Sequence, residues 1–182
     1  ILPPHGQNDP HLYGNITAEA VGRAGILAPE RTRNFCMAIT TTDFRDAGRP
    51  SSWSASIDAL CAGADNETQR LIIISAGNTD RAFQHYYPAN NMTDGVHDPG
   101  QAWNALTVGA FTEKNFVDPS EYPGWQLVAS PGDLSPSSTT SNSWSKPWPL
   151  KPDIVMEGGN MAIDPTGSAD TVDSLDLLTT NW

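Results

Sequence analysis

Arg70-Leu71-Ile72-Ile73-Ile74-Ser75-Ala76-Gly77-Asn78-Thr79-Asp80 is the stretch from which the fold can be read. Leu71 to Ile74 are all apolar and all but the first are β-branched, the pattern of a strand buried on both faces. The run then passes into Ser75-Ala76-Gly77-Asn78. Small residues there let another backbone approach, and Gly77 can take dihedrals that other residues avoid. Asn78 falls just past the C-terminal end of a central strand, where open α/β sheets place their ligands. Its side-chain amide can donate an N–H into that crevice. Gly-Asn is also ordinary turn chemistry, so these residues alone leave both roles open.

Upstream, the apolar and polar residues alternate between two periods. Ile1-Leu2 has the character of a strand end, stopped by Pro3 and Pro4. Asn15 can cap a helix that carries Ile16, Ala20, Val21, Ala24 and Leu27 on one face and ends before Pro29. Phe35 to Thr42 reads as a strand. Ser51 or Ser52 can cap a second helix, with Trp53, Ile57, Leu60 and Cys61 on one face and Gly63 at its end. Strand, helix, strand, helix, strand is the order of parallel strands joined by crossover helices. Downstream, residues 80–101 read as a long polar and aromatic loop. Ala105 to Phe111 is a further strand, and Ile154 to Met156 a last short one before Gly158-Gly159. No internal repeat and no linker divides the chain, so residues 1–182 are expected to form a single domain.

Composition excludes several partners. Ten basic against 21 acidic side chains leave a formal net charge of −11, which argues against a nucleic-acid partner. No apolar run approaches the roughly 20 residues needed to cross a bilayer, so no membrane partner is expected. Cys36 and Cys61 lack metal-site spacing and read as two buried free thiols. His11, His85 and His97 read as surface histidines in loops. The compartment is left open.

Three segments, in order, resemble one family. Leu71 to Asn78 is similar to the strand and turn that carry the oxyanion-hole Asn of subtilisin-like serine peptidases. Asn104-Ala105-Leu106-Thr107-Val108-Gly109-Ala110 resembles the strand that follows it there. Leu150-Lys151-Pro152-Asp153-Ile154-Val155 is similar to the Lys-Pro-Asp-Ile-Val segment that leads toward the catalytic serine. The Ser-rich stretch Leu134 to Ser143 falls where the family has a Ser-rich loop. Order and spacing agree over about residues 1–160.

The resemblance implies an α/β, three-layer subtilisin-like fold with a mostly parallel central sheet, here an incomplete portion. It implies a serine endopeptidase domain with Asn78 as oxyanion donor. Ile39, Thr40 and Thr41 would lie along the substrate, and Ser75, Ala76 and Gly77 would wall the pocket for the side chain before the scissile bond. The partner implied is a polypeptide substrate, together with flanking segments of the same protein. Many relatives bind calcium, but Asp94, Asp98, Asp118 and Glu121 do not follow a known loop spacing and read as surface charge. No metal or cofactor is expected.

The apolar start at Ile1 and the end at Leu177-Leu178-Thr179-Thr180-Asn181-Trp182 both read as cut, so the chain is expected to be the middle of that domain. The family's Asp, His and Ser motifs then fall outside it, and the segment alone is expected to be inactive. His5-Gly6 invites comparison with the family's His motif, but Gln7-Asn8-Asp9-Pro10 continues it as a turn. Thr166-Gly167-Ser168-Ala169 is followed by Asp170-Thr171 instead of an apolar helix start, and reads as a loop. The competing expectation is a non-catalytic α/β binding domain or a degenerate relative that keeps the scaffold.

Overall fold

The computed structural model describes residues 6, 8–42, 46–64, 67–146 and 148–178. The expected strand end at Ile1-Leu2 and the His5 comparison lie outside these residues. Strands β1 (Asn34–Met37), β2 (Leu71–Ser75), β3 (Leu106–Phe111) and β5 (Ile154–Glu157) form one sheet in the order β1-β2-β3-β5. Every pairing in it is parallel, with Ile73 opposite both Cys36 and Leu106, and Val108 opposite Ile154. The chain is thus an α/β protein built on a parallel sheet.

Helix α1 (Tyr13–Leu27) precedes β1, and helix α2 (Ser52–Ala62) is the crossover from β1 to β2. The start of α2 is as the sequence predicts. Ser51 accepts from the Ser54 amide while Ser54 Oγ accepts from the Ser51 amide, a reciprocal cap. Gly63 closes the helix at φ 72°, where a side chain is disfavoured. α1 differs from expectation: it begins at Tyr13, so Asn15 sits inside its first turn instead of capping it. Tyr13 is drawn into the helix by packing, its ring 4.8 Å from that of Trp53. The Trp53 indole N–H also donates to Thr17 Oγ1 at 2.9 Å. Gly14 lets the two helices approach, since a Cβ there would lie 2.5 Å from Ser56 Oγ.

Both helices pack on the same face of the sheet. Val21, Trp53, Ile57, Leu60 and Cys61 meet Ile72 and Ile74 in one core, with Phe35 and Met37 against it. Each fully buried Ile there contributes about 1.5–3 kcal/mol relative to exposure. The expectation that β2 is buried on both faces is therefore corrected. Ile72 and Ile74 are buried, whereas Leu71 is 44% exposed. Paired residues of a parallel sheet point the same way, so Leu71, Cys36, Ile154 and Met156 share the other face. Cys36 is exposed, not the buried thiol read from the sequence, because its position alternates with the core residues Phe35 and Met37. Cys61 is buried as expected, and burial pushes its thiol pKa up.

The segment between β2 and β3 is not wholly a loop. It contains a 3-10 turn over Arg81–Tyr86 and the short helix α3 (Ala89–Thr93). Three short strands, β4 (Gln126–Leu127), β6 (Ala162–Ile163) and β7 (Ala169–Asp170), form a separate antiparallel sheet. Its small core gathers Ala162, Val172 and Leu175, with Val117, Tyr122, Trp125 and Leu127 against it. The Thr166-Gly167-Ser168 stretch is the turn into β7, held by Asp164, whose Oδ1 accepts from the Thr166 and Ser168 amides. The Thr166 hydroxyl also donates to Asp164 Oδ1 at 2.7 Å, and this bond first, with the amide bonds, holds the Asp164 carboxyl below its usual range.

Candidate active site

The chain leaves β2 through Ser75, Ala76 and Gly77, and the segment 135–140 seats this exit. Thr139 Oγ1 donates to Ala76 O at 2.8 Å, the Thr79 amide donates to Ser137 O at 3.0 Å, and Thr79 Oγ1 donates to Pro136 O at 2.7 Å. Asn78 forms an antiparallel bridge with Ser138. The backbone on both sides of Asn78 is therefore fixed, whereas its exposed side-chain amide makes no hydrogen bond to the described residues. A fixed backbone carrying an uncommitted N–H donor is what a preorganised anion-stabilising group requires.

Asn78 opens onto a cleft of about 740 Å³ lined by Ala38 to Thr42 on one side, by Asp80, Phe83 and Asp94 on the other, and by His97. The Phe35 to Thr42 segment, expected as one strand, stops being strand at Met37. Beyond Met37 the chain leaves β2, and its Thr41 amide donates to Asp98 O at 2.7 Å. Among the site residues expected from the sequence, Ile39, Thr40, Thr41 and Asn78 line this one cleft. Ser75, Ala76 and Gly77 stand outside its lining: Ala76 is 1% exposed and Gly77 lies against His97.

His97 is the residue that sequence reasoning missed. Read as a surface histidine, it is 7% exposed. Its amide donates to Ala76 O at 2.9 Å, and its Nδ1 lies 2.9 Å from Thr41 O. A carbonyl oxygen only accepts, so Nδ1 carries a proton. His97 thereby ties the exit of β1, through its ring, to the exit of β2, through its backbone amide. Gly77 makes room for it: at φ 97°, a Cβ on Gly77 would lie 2.5 Å from His97 Cγ. Gly77→Ala is expected to lower stability by at least about 1–3 kcal/mol, from backbone strain alone before the clash with the ring is counted. Thermal denaturation checks this, and an unchanged Tm would contradict the packing described. No local sequence signal marks His97, because its burial depends on Gly77 and Thr41, far from it along the chain.

The other histidines are placed differently. His11 is exposed, and the His85 ring rests 3.9 Å from that of Tyr86. Among the described residues no group of three or more His, Cys, Asp or Glu is arranged to hold a metal ion. Asp94, Asp98, Asp118 and Glu121 do not converge on one site. No helix among the described residues is long and apolar enough to cross a membrane.

A parallel α/β sheet with a cleft at the C-terminal ends of its strands, and an amide donor at the exit of a central one, defines a ligand-binding class of fold. The particular family follows from comparison: the model of the subtilase family, Peptidase_S8, matches residues 1–182, and the chain belongs to that family. A search of the curated proteins found no match. Membership of the subtilase family supports a serine peptidase-like function in general.

Proposed function

We propose that this chain carries the oxyanion-stabilising and substrate-framing part of a serine endopeptidase, with Asn78 as the donor to the oxyanion. The observation that carries the reading is the uncommitted Asn78 amide at the exit of β2, on the cleft that Ile39, Thr40 and Thr41 also line. In peptide hydrolysis a serine oxygen adds to the scissile carbonyl while its proton passes to a general base, and the carbonyl π electrons move onto oxygen. The tetrahedral intermediate so formed carries an oxyanion. Asn78 Nδ2–H donates to that oxygen, which is more negative in the transition state than in the bound peptide, so the bond favours the transition state. β1 is an edge strand among the described residues. The chain that continues from it through Ala38 to Thr42 offers backbone groups to a peptide laid alongside, as in strand addition. Ser75, Ala76 and Gly77 support Asn78 from behind, and Gly77 admits His97.

The nucleophile, the base and its carboxylate partner are assigned to polypeptide outside the described residues. The test is labelling of the intact gene product by a fluorophosphonate probe, followed by hydrolysis of an unstructured protein such as casein. Labelling with hydrolysis is the expected result. Neither labelling nor hydrolysis would favour a non-catalytic relative that keeps the scaffold.

A further inference from the structure

We infer that the cleft beside Asn78 selects a substrate with a basic side chain, lysine or arginine, immediately before the scissile bond. The inference rests on the peptidase reading above and adds the substrate class. If Asn78 holds the oxygen of the scissile carbonyl, the side chain one carbon away enters the cleft next to Asn78. That cleft carries two carboxylates, Asp80 and Asp94, and no Lys or Arg lines it. Among the described residues neither carboxylate is in an ion pair. Asp80 Oδ1 already accepts from the Ala82 amide at 2.9 Å, which orients that carboxylate. His97, packed on Gly77 and bonded to Thr41 O, also lines the cleft.

The consequences for three classes of side chain differ. A cation in this space meets two acidic residues without displacing a resident cation, an attraction that solvent moderates because Asp80 is exposed. A carboxylate there meets like charge. Thr40, Thr41 and Thr42 line the cleft, a polar residue set that suits a polar head more than a large apolar one. Phe83, 53% exposed and on the rim, can cover the aliphatic stem of a Lys or Arg.

Two measurements on the intact gene product test this. The first is kcat/KM on a peptide series identical except for Arg, Lys, Leu, Phe or Glu before the scissile bond. Arg and Lys are expected to exceed Leu and Phe by roughly tenfold or more, and Glu to be slowest, as one or two charge pairs at a partly solvated site imply. In Asp94→Asn the ratio of Arg to Leu is expected to fall severalfold. The second measurement is benzamidine binding, followed by the amide resonances of Gly77 and His97. Saturable shifts, weakened in Asp94→Asn, are expected. Cleavage with a preference for Leu, Phe or Glu overturns the inference while the peptidase reading stands. Absence of all cleavage together with saturable benzamidine binding overturns the peptidase reading and leaves a cation-selective cleft. Absence of benzamidine binding overturns the selectivity in either case.

Discussion

If the protein is the peptidase proposed above, Asn78→Ala is expected to lower kcat by about a hundredfold to a thousandfold while KM changes little. That range, about 2.7–4 kcal/mol of transition-state stabilisation, is the known cost of removing such a donor from subtilisin itself, a member of the same family. The split between kcat and KM follows from when the bond forms. The donor meets full charge only after the carbonyl has been attacked, so the ground-state complex loses little. The surrounding structure makes the substitution a clean one. Asn78 is exposed and its side chain holds nothing in place, while the backbone is fixed by bonds from Thr79 and Thr139. Thermal stability is accordingly expected to stay close to wild type. Steady-state kinetics on a peptide substrate provide the check, and unchanged turnover would remove Asn78 from the mechanism.

Asp153→Asn is expected to destabilise the fold by about 3 kcal/mol, through a group far from the cleft lining. Lys151 is buried, with its side chain 1% exposed, and its ammonium donates to Asp153 Oδ2 at 2.7 Å and to Ala105 O at 3.0 Å. The same Asp153 Oδ2 accepts from the Thr107 amide at 2.7 Å, which ties the start of β5 to β3. Removing one partner of a buried pair leaves the other charge uncompensated, at about 3–5 kcal/mol. The lower end applies because the Asp153 side chain is 34% exposed and partly hydrated. For a chain of this size that corresponds to a fall in Tm of about 6–12 °C. Lys151→Met is expected to cost less, since it removes the buried ammonium and leaves a carboxylate that water can reach. Denaturant or thermal unfolding of both variants decides the matter. A loss below about 0.5 kcal/mol in Asp153→Asn, within the range of ordinary surface substitutions, would show that the pair is immaterial.

The Lys-Pro-Asp-Ile-Val segment illustrates how much of this protein is legible in its sequence. Its place before the last strand of the parallel sheet is readable from order and likeness, and the subtilase match over residues 1–182 agrees. The roles of Lys151 and Asp153 are not readable there, because Ala105 and Thr107 are distant in sequence. α2 is local chemistry: Ser51, the apolar face of Trp53, Ile57, Leu60 and Cys61, and Gly63 predict its limits correctly. α1 is less local, since its start is set by Tyr13 packing on Trp53. Residues 162–182 carry no readable pattern, because strands of two residues are too short to show a period.

The same division runs through the site. Residues 71–78 by themselves determined a strand running into a small-residue turn with an Asn at its end, because apolar periodicity and backbone permissiveness are properties of neighbours in the chain. Only the tertiary structure decided that β2 shows one face to both helices and the other face outward. It also decided that residues 38–42, Asn78 and His97 share one cleft, and that His97 is buried with its ring against Gly77 and bonded to Thr41 O. The physical reason is common to all three. Each depends on which distant segments share a volume, and burial, donor pairing and charge environment are properties of that volume and not of the chain beside the residue.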